Sequence, residues 1–297
     1  MSKWHQLSQL CGCQIEGPDA VAFCQSQFTA DVEAMPLAQW QICGWCDRKG
    51  RVRMVILTAR YKDHVEIIMP TIQKSLLGAL SMFTIGRSVK LIPVDNVSGA
   101  YRSGEDAGSN SSNYRVIKDD PFSRMLKLDG TEGSETRDSA RAPDVDWLQT
   151  WASQDVRMPL PWLDPRTQDR FLPQALGMEA NGGLSFTKGC YPGQEIVARV
   201  HYLGRAPEQL VALSVDSSTW NSGNKNSTSG LSAEEFSQIK AAAKDGGRVS
   251  LLSTVEHAGN CLMLAVAPSK LKPGDTVEIK RAEKSVLATA TPFETLC

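Results

Sequence analysis

The densest cluster of chemistry-bearing residues is Ser185-Phe186-Thr187-Lys188-Gly189-Cys190-Tyr191-Pro192-Gly193-Gln194-Glu195-Ile196-Val197-Ala198-Arg199. Two glycines, an ammonium, a thiol, an aromatic ring and a carboxylate fall within eight residues, 188–195. A cation beside a thiol and a helix start just after it both favour thiolate, the requirement for a reactive cysteine. The alternative for Cys190 is a small, buried apolar side chain, the commoner fate of a free cysteine. The sequence leaves both readings open. Gly189 and Gly193 are expected to allow close backbone approach. Pro192 suits a helix start, Ile196, Val197 and Val200 would form the helix's apolar side, and Glu195 would lie in the first turn, where the dipole favours a carboxylate.

Other candidates are weaker. Cys43-Gly44-Trp45-Cys46 and Cys11-Gly12-Cys13 could in principle supply four thiolates to zinc or a cluster. The C-x-C spacing is poor for that geometry, and this C-x-x-C precedes a strand instead of opening a helix. These thiols are expected in the sheet core. His5, His64, His201 and His257 are scattered, with no i, i+4 pair. Of these, His201 follows the 185–199 segment closely enough to reach a ligand bound there, and a surface imidazole is its simpler role.

The elements that must position this segment follow from hydrophobic period. Gly17-Pro18-Asp19 marks a helix start, and Val21, Cys24 and Phe28 carry that helix to about Thr29. Val52, Met54 and Ile56 alternate with Arg51, Arg53 and Val55, which predicts a strand with one buried face and solvated arginines. Residues 65–69 form a second strand. Ile72, Leu76, Leu80 and Phe83 mark one helical face, and residues 89–94 return to strand. Hairpin, helix and strand in that order predict an α+β layer.

Residues 98–113 and 129–144 are expected to be exposed loops around short strands at 114–117 and 122–128. A helix from Asp144 would carry Val145, Leu148 and Trp151 on one side. Irregular, proline-rich chain over 158–173, with Trp162, Asp164, Arg170 and Phe171, is a candidate site-building loop. Trp147 and Trp151 read as core anchors. After Gly204, residues 210–215, 249–255, 261–266, 276–279 and 286–290 are short strand candidates. They predict a small β-barrel or sandwich as a separate domain, with a Ser/Asn/Gly loop at 221–232.

Bulk properties set the boundaries. The chain has 297 residues, 32 Lys+Arg against 33 Asp+Glu and 41% apolar residues. That length suggests two domains, and the composition rules out wholesale disorder. A net charge of −1 excludes a chain-wide electrostatic grip on nucleic acid or anionic lipid. Eight irregularly spaced cysteines in a chain of this size argue for a reducing compartment over a disulfide framework. The first residues lack a signal peptide's apolar core, and no apolar run approaches the roughly 18 residues of a membrane span. The expectation is a cytoplasmic protein.

The sequence Lys-Gly-Cys-Tyr-Pro-Gly-Gln-Glu at 188–195 resembles the signature of the YgfZ family of folate-binding proteins. These are relatives of the glycine-cleavage T-protein (aminomethyltransferase) and include the mitochondrial factor for iron–sulfur protein maturation. Gly17-Pro18-Asp19-Ala20, with Gln27-Phe28-Thr29-Ala30-Asp31-Val32, is similar to the family's N-terminal helix. Cys46-Asp47-Arg48-Lys49-Gly50-Arg51 is similar to its following turn and strand, and Phe171-Leu172-Pro173-Gln174 precedes the signature. The resemblance covers about residues 7–205.

It implies an α+β fold: a T-protein-like folate-binding core of two α+β layers around a central channel over 1–204, plus a C-terminal antiparallel β-barrel over 205–297. It also implies tetrahydrofolate as ligand and a role in assembling or maintaining iron–sulfur enzymes, including tRNA-thiolating enzymes. Any effect on tRNA would run through those clients, without direct nucleic-acid binding. Cys190 is the expected functional thiol, with Lys188, Gly189, Tyr191, Gly193, Gln194, Glu195 and Arg199 around the folate. A pterin edge offers adjacent N–H donors that Glu195 can accept in pairs. Tyr191 or Phe186 would stack on the ring, and Lys188 or Arg199 would meet the glutamate tail.

The sequence departs from the T-protein at Lys49-Gly50-Arg51-Val52-Arg53-Met54, where basic and apolar residues stand at the carboxylate positions, and at Ile68-Met69-Pro70. Without a carboxylate to orient the folate nitrogen, aminomethyl transfer is expected to be lost. The alternative is a retained one-carbon transferase activity. Arg51 and Arg53 would attract an anionic ligand or RNA backbone if their face lined the channel; Trp162, beside Pro161, would wall it.

Overall fold

The computed structural model describes residues 3–102, 115–117, 120–129, 142–204, 206–221, 236, 238–281 and 284–296. The chain divides into two compact units. The first holds residues 1–143, 163–170 and 178–198; the second holds 144–162, 171–177 and 199–297.

In the first unit, β1 (His5–Gln6), β2 (Leu10–Glu16) and α1 (Ala20–Gln27) lead to the strands β3 (Gln41–Cys46), β4 (Val52–Arg60) and β5 (His64–Pro70). Next come α2 (Leu76–Ser81) and β6 (Lys90–Val94), then β7 (Val97–Tyr101), β8 (Arg115–Val116) and β9 (Arg124–Leu128). They form two antiparallel sheets, ordered β3-β4-β5-β2-β6 and β1-β7-β9-β8.

The sheets meet closely. A Cβ on Gly12 of β2 would come within 2.3 Å of the Leu128 side chain of β9. The indole N–H of Trp40 donates to the Leu126 carbonyl at 3.1 Å. Cover on both sides explains why Met54 to Ala59 of β4 are all buried, where the alternation predicted one buried face. On the α1 side, Phe23, Phe28, Trp45, Met54, Ile56 and Ile67 form the core together with Cys11, Cys13, Cys24 and Cys43. Cys11, Cys13 and Cys43 are thus core packing, and Cys46 is buried as well.

Two further expectations are corrected here. Residues 98–101 are a buried strand, not a loop: Ser98, Gly99 and Ala100 sit centrally between β1 and β9, where small side chains permit tight stacking. Their composition is that of a turn, so sequence alone misplaces them. The predicted 72–83 helix is also interrupted. 3₁₀ turns at Thr71–Gln73 and Met82–Thr84 flank the short α2, and they break the periodicity: Leu77 and Leu80 are buried while Ile72 and Phe83 are exposed. Most of the loop predicted at 129–144 lies outside the described residues.

In the second unit, α3 (Val145–Arg157) starts where predicted, with the Asp144 carboxylate capping the Trp147 N–H at 2.8 Å. Trp151 is buried and stacks on Trp147 at 5.1 Å. The chain from 158 to 172, of which 163–170 belong to the first unit, is irregular and ends at a 3₁₀ turn over Pro173–Leu176; the Trp162 indole donates to Asp155 at 3.1 Å. α4 (Gln194–Leu203) begins in the first unit and ends in the second.

Next come β10 (Glu208–Asp216), α5 (Ser217–Asn221), β11 (Lys240–Ala243), β12 (Arg248–His257), β13 (Asn260–Pro268), β14 (Thr276–Arg281) and β15 (Lys284–Thr291). Six of these strands close an antiparallel barrel ordered β10-β13-β12-β11-β14-β15. Leu213, Val249, Met263, Ala265, Val277, Ile279 and Ala288 fill its core. β11 carries no strand signal, because Lys and Ala are poor strand formers. Its pairing with β12 and β14 on either side decides its state. No helix among the described residues is long and apolar enough to cross a membrane.

Candidate functional site

The 185–199 segment is stitched into the first unit at three points. The upstream point is Thr29, fully buried just beyond α1. Its hydroxyl donates to the Gly183 carbonyl at 2.6 Å and accepts the Gly44 N–H of β3 at 2.7 Å. Its carbonyl accepts the Ser185 N–H at 2.9 Å. Sequence reasoning gave Thr29 no role, although it lies within one of the blocks that carried the resemblance.

The central point is Lys188. Its Nζ donates to the carbonyls of Gln25, Phe28 and Ala30, the last at 3.1 Å. These lie at and just past the C-terminal end of α1, where carbonyls lack helical partners and the dipole favours a cation. Burial pulls the Lys188 ammonium down to about 8, against opposing pulls from Cys43, Asp31, Cys24 and Glu33. The same Nζ lies 5.2 Å from the Tyr191 ring centroid. That ring is itself buried, and its hydroxyl has no hydrogen-bond partner. Burial pushes the phenol upward.

The downstream point is Gly193. Its φ of +81° belongs to the left-handed region. A Cβ there would come within 2.4 Å of both the Asp47 carbonyl oxygen and the Gly50 nitrogen. Asp47 shapes this facing turn by accepting the Lys49 and Arg51 N–H groups on Oδ1, each at 2.8 Å. The 46–51 block and the 188–195 block, far apart in sequence, therefore pack backbone to backbone.

Several expectations change. Cys190 is exposed while Cys11, Cys13, Cys24, Cys43, Cys46 and Cys261 are buried, which removes the small-buried-residue reading for Cys190. Cys297 lies outside the described residues. Gly189, expected to permit a close approach, has nothing within 4 Å of a Cβ position; that function belongs to Gly193. Lys188 and Tyr191, expected to face a folate tail and ring, are both turned inward. Val197 is the buried residue of α4, whereas Ile196 is exposed. Glu195 does lie in the first turn of α4, exposed, with Arg199 one turn later and also exposed, and Gln194 half-buried.

The arginines predicted on a solvated strand face are tied to residues 169–170. Arg53 pairs with Asp169 at 3.1 Å and lies 5.0 Å over the Trp45 ring, and Arg51 donates to the Arg170 carbonyl at 2.6 Å.

No family model matches the chain. A protein of Edwardsiella ictaluri named "tRNA-modifying protein YgfZ" is 30% identical over 215 residues, 64% of this chain and 64% of its own length. An uncharacterized protein of Haemophilus influenzae is 30% identical over 208 residues, 69% of this chain and 70% of its own. A protein of Serratia proteamaculans, also named "tRNA-modifying protein YgfZ", is 28% identical over 214 residues, 64% of each chain. The match thus spans slightly less than two thirds of the first of these relatives. Among solved structures, the glycine cleavage system aminomethyltransferase T of Bartonella henselae shares the fold, with a TM-score of 0.63, 11% identity, and coverage of 98% of this chain and 85% of that one.

Proposed function

Because the chain belongs to the YgfZ family, we propose that it is a tetrahydrofolate-binding accessory protein. In this reading it supports the assembly, maintenance or repair of iron–sulfur enzymes and affects tRNA modification through them. The observation that carries the reading is the exposure of Cys190 within the 188–195 signature, while the other described cysteines are buried. A thiol held at the surface costs a protein oxidative risk, and a structural cysteine has no need of it.

The residues present fit a folate in part. Glu195 and Arg199 are exposed one turn apart on α4. A carboxylate there matches the paired N–H donors of a pterin, and a guanidinium matches an anionic glutamate tail. Folate would supply a one-carbon carrier. The chain's own residues would bind and orient it, and Cys190 would meet the client or the carried group. The basic residues at Arg51 and Arg53, engaged with Arg170 and Asp169, disfavour aminomethyl transfer, which needs a free carboxylate at the folate nitrogen.

The test is complementation in a bacterial strain lacking its own family member. This chain should restore the thiolated nucleosides of tRNA made by an iron–sulfur enzyme. Failure of the well-expressed chain to restore them would overturn the reading.

A further inference from the structure

Along the signature, burial runs in, out, out, in. Lys188 is 7% exposed and Tyr191 is 5% exposed, while Gly189 and Cys190 between them are exposed. We propose that Lys188 and Tyr191 clamp the base of a two-residue loop, which makes Lys188 the positioning residue of Cys190. It is neither the activator of the thiol nor a ligand contact. This deepens the reading of Cys190 as the functional thiol and rests on it.

The argument begins with donor count. A lysine ammonium has three N–H donors and no acceptor. All three are engaged by the carbonyls of Gln25, Phe28 and Ala30, so none is left for a thiolate or a carboxylate ligand. The Tyr191 ring closes the loop from the other side, through its 5.2 Å approach to the same Nζ. Beyond the clamp, the chain is held on both flanks. Ser185 N–H donates to Thr29 upstream, and Gly193 is seated on the 47–50 turn downstream. With its flanks fixed, the short span between must project. A cation at the end of α1 thereby determines where a thiol is displayed, although lysine and cysteine are close in sequence and look like an activating pair.

The test uses the full chain as wild type, Lys188→Met, Lys188→Arg and Tyr191→Leu. Two readouts are needed: amide hydrogen exchange over 185–193, and the pH profile of Cys190 carbamidomethylation by iodoacetamide, located by peptide mass spectrometry. Lys188→Met should speed exchange in this segment about tenfold or more, as expected when an anchoring contact is lost, and leave the midpoint of the carbamidomethylation profile in place. Lys188→Arg should recover part of the protection. A midpoint raised by about one pH unit with unchanged exchange would make Lys188 an electrostatic activator and overturn the clamp. If Lys188→Met does not fold, Tyr191→Leu is read against the same two outcomes. Full rescue of tRNA thiolation by Cys190→Ala would overturn the functional reading and leave the exchange result standing. Unchanged exchange would overturn the clamp whatever the rescue shows.

Discussion

Gly50 and Gly193 meet backbone to backbone, each with positive φ, and leave no room for a side chain at Gly193. This contact seats the start of α4 on the turn before β4. Gly193→Ala should therefore destabilise by roughly 2–4 kcal/mol, from strain at positive φ plus a clash with main chain. Gly189→Ala, with open space at its Cβ position, should stay within about 0.5 kcal/mol of wild type. Urea unfolding of the two variants checks this; equal effects would contradict the packing.

Folate binding should depend on the exposed carboxylate of α4. In a fluorescence titration with tetrahydrofolate, Glu195→Ala should weaken binding about tenfold or more, the cost of losing charge-assisted hydrogen bonds. Lys188→Met is expected to weaken it less. Unchanged affinity for Glu195→Ala would remove the proposed pterin contact.

Alkali should destabilise the protein. Burial pushes Cys13 up to about 12, Cys43 to about 11 and Cys261 to about 12, and it raises Cys11, Cys24 and Cys46 as well. The ordinary thiol value is 9.0. Above about pH 9 the folded state thus binds more protons than the unfolded chain, and stability falls as pH rises, by up to about 1.4 kcal/mol per pH unit for each thiol. Lys188 acts in the opposite sense. Lowered to about 8 from 10.5, it contributes stability that rises with pH across that window. One lysine opposes six described thiols, so the thiols dominate. Urea unfolding across the pH range should show this decline, with a shallower slope for Cys43→Ala. A free energy that stays flat through about pH 11 would contradict it.

The second sheet contains a buried charge pair. Asp120 and Arg124 are 2.7 Å apart, and neither side chain is exposed. Asp120 also accepts the Phe122 N–H at 3.0 Å. Asp120→Ala should cost about 3–5 kcal/mol by removing the carboxylate that faces a buried guanidinium. The double change Asp120→Ala/Arg124→Met should cost less. An equal loss in single and double variants, measured by urea unfolding, would rule out the broken charge pair as the cause.

The parts of the structure written as local periodicity were legible from sequence. α1, α3, the β4–β5 hairpin and five of the six barrel strands follow from apolar spacing, proline placement and the Asp144 cap. The strands β7 and β11 were not legible, because Ser-Gly-Ala and Lys-Ala-Ala-Ala acquire strand geometry only from neighbours that pair with them on both sides. The site divides in the same way. The residue types gathered at 188–195 and the first-turn position of Glu195 could be read directly. The inward turn of Lys188 could not, since it depends on carbonyls about 160 residues away. The same holds for Gly193, whose constraint comes from the 47–50 turn.

The most direct test of the account is the tRNA of a strain lacking its own family member, complemented by wild type or by Cys190→Ala at equal expression. The quantity to measure is the thiolated-nucleoside content made by a cluster-dependent enzyme. The account predicts restoration by wild type and little above the empty strain with Cys190→Ala. Equal restoration by both would contradict it, and Cys190 would be an exposed thiol without a function in this pathway.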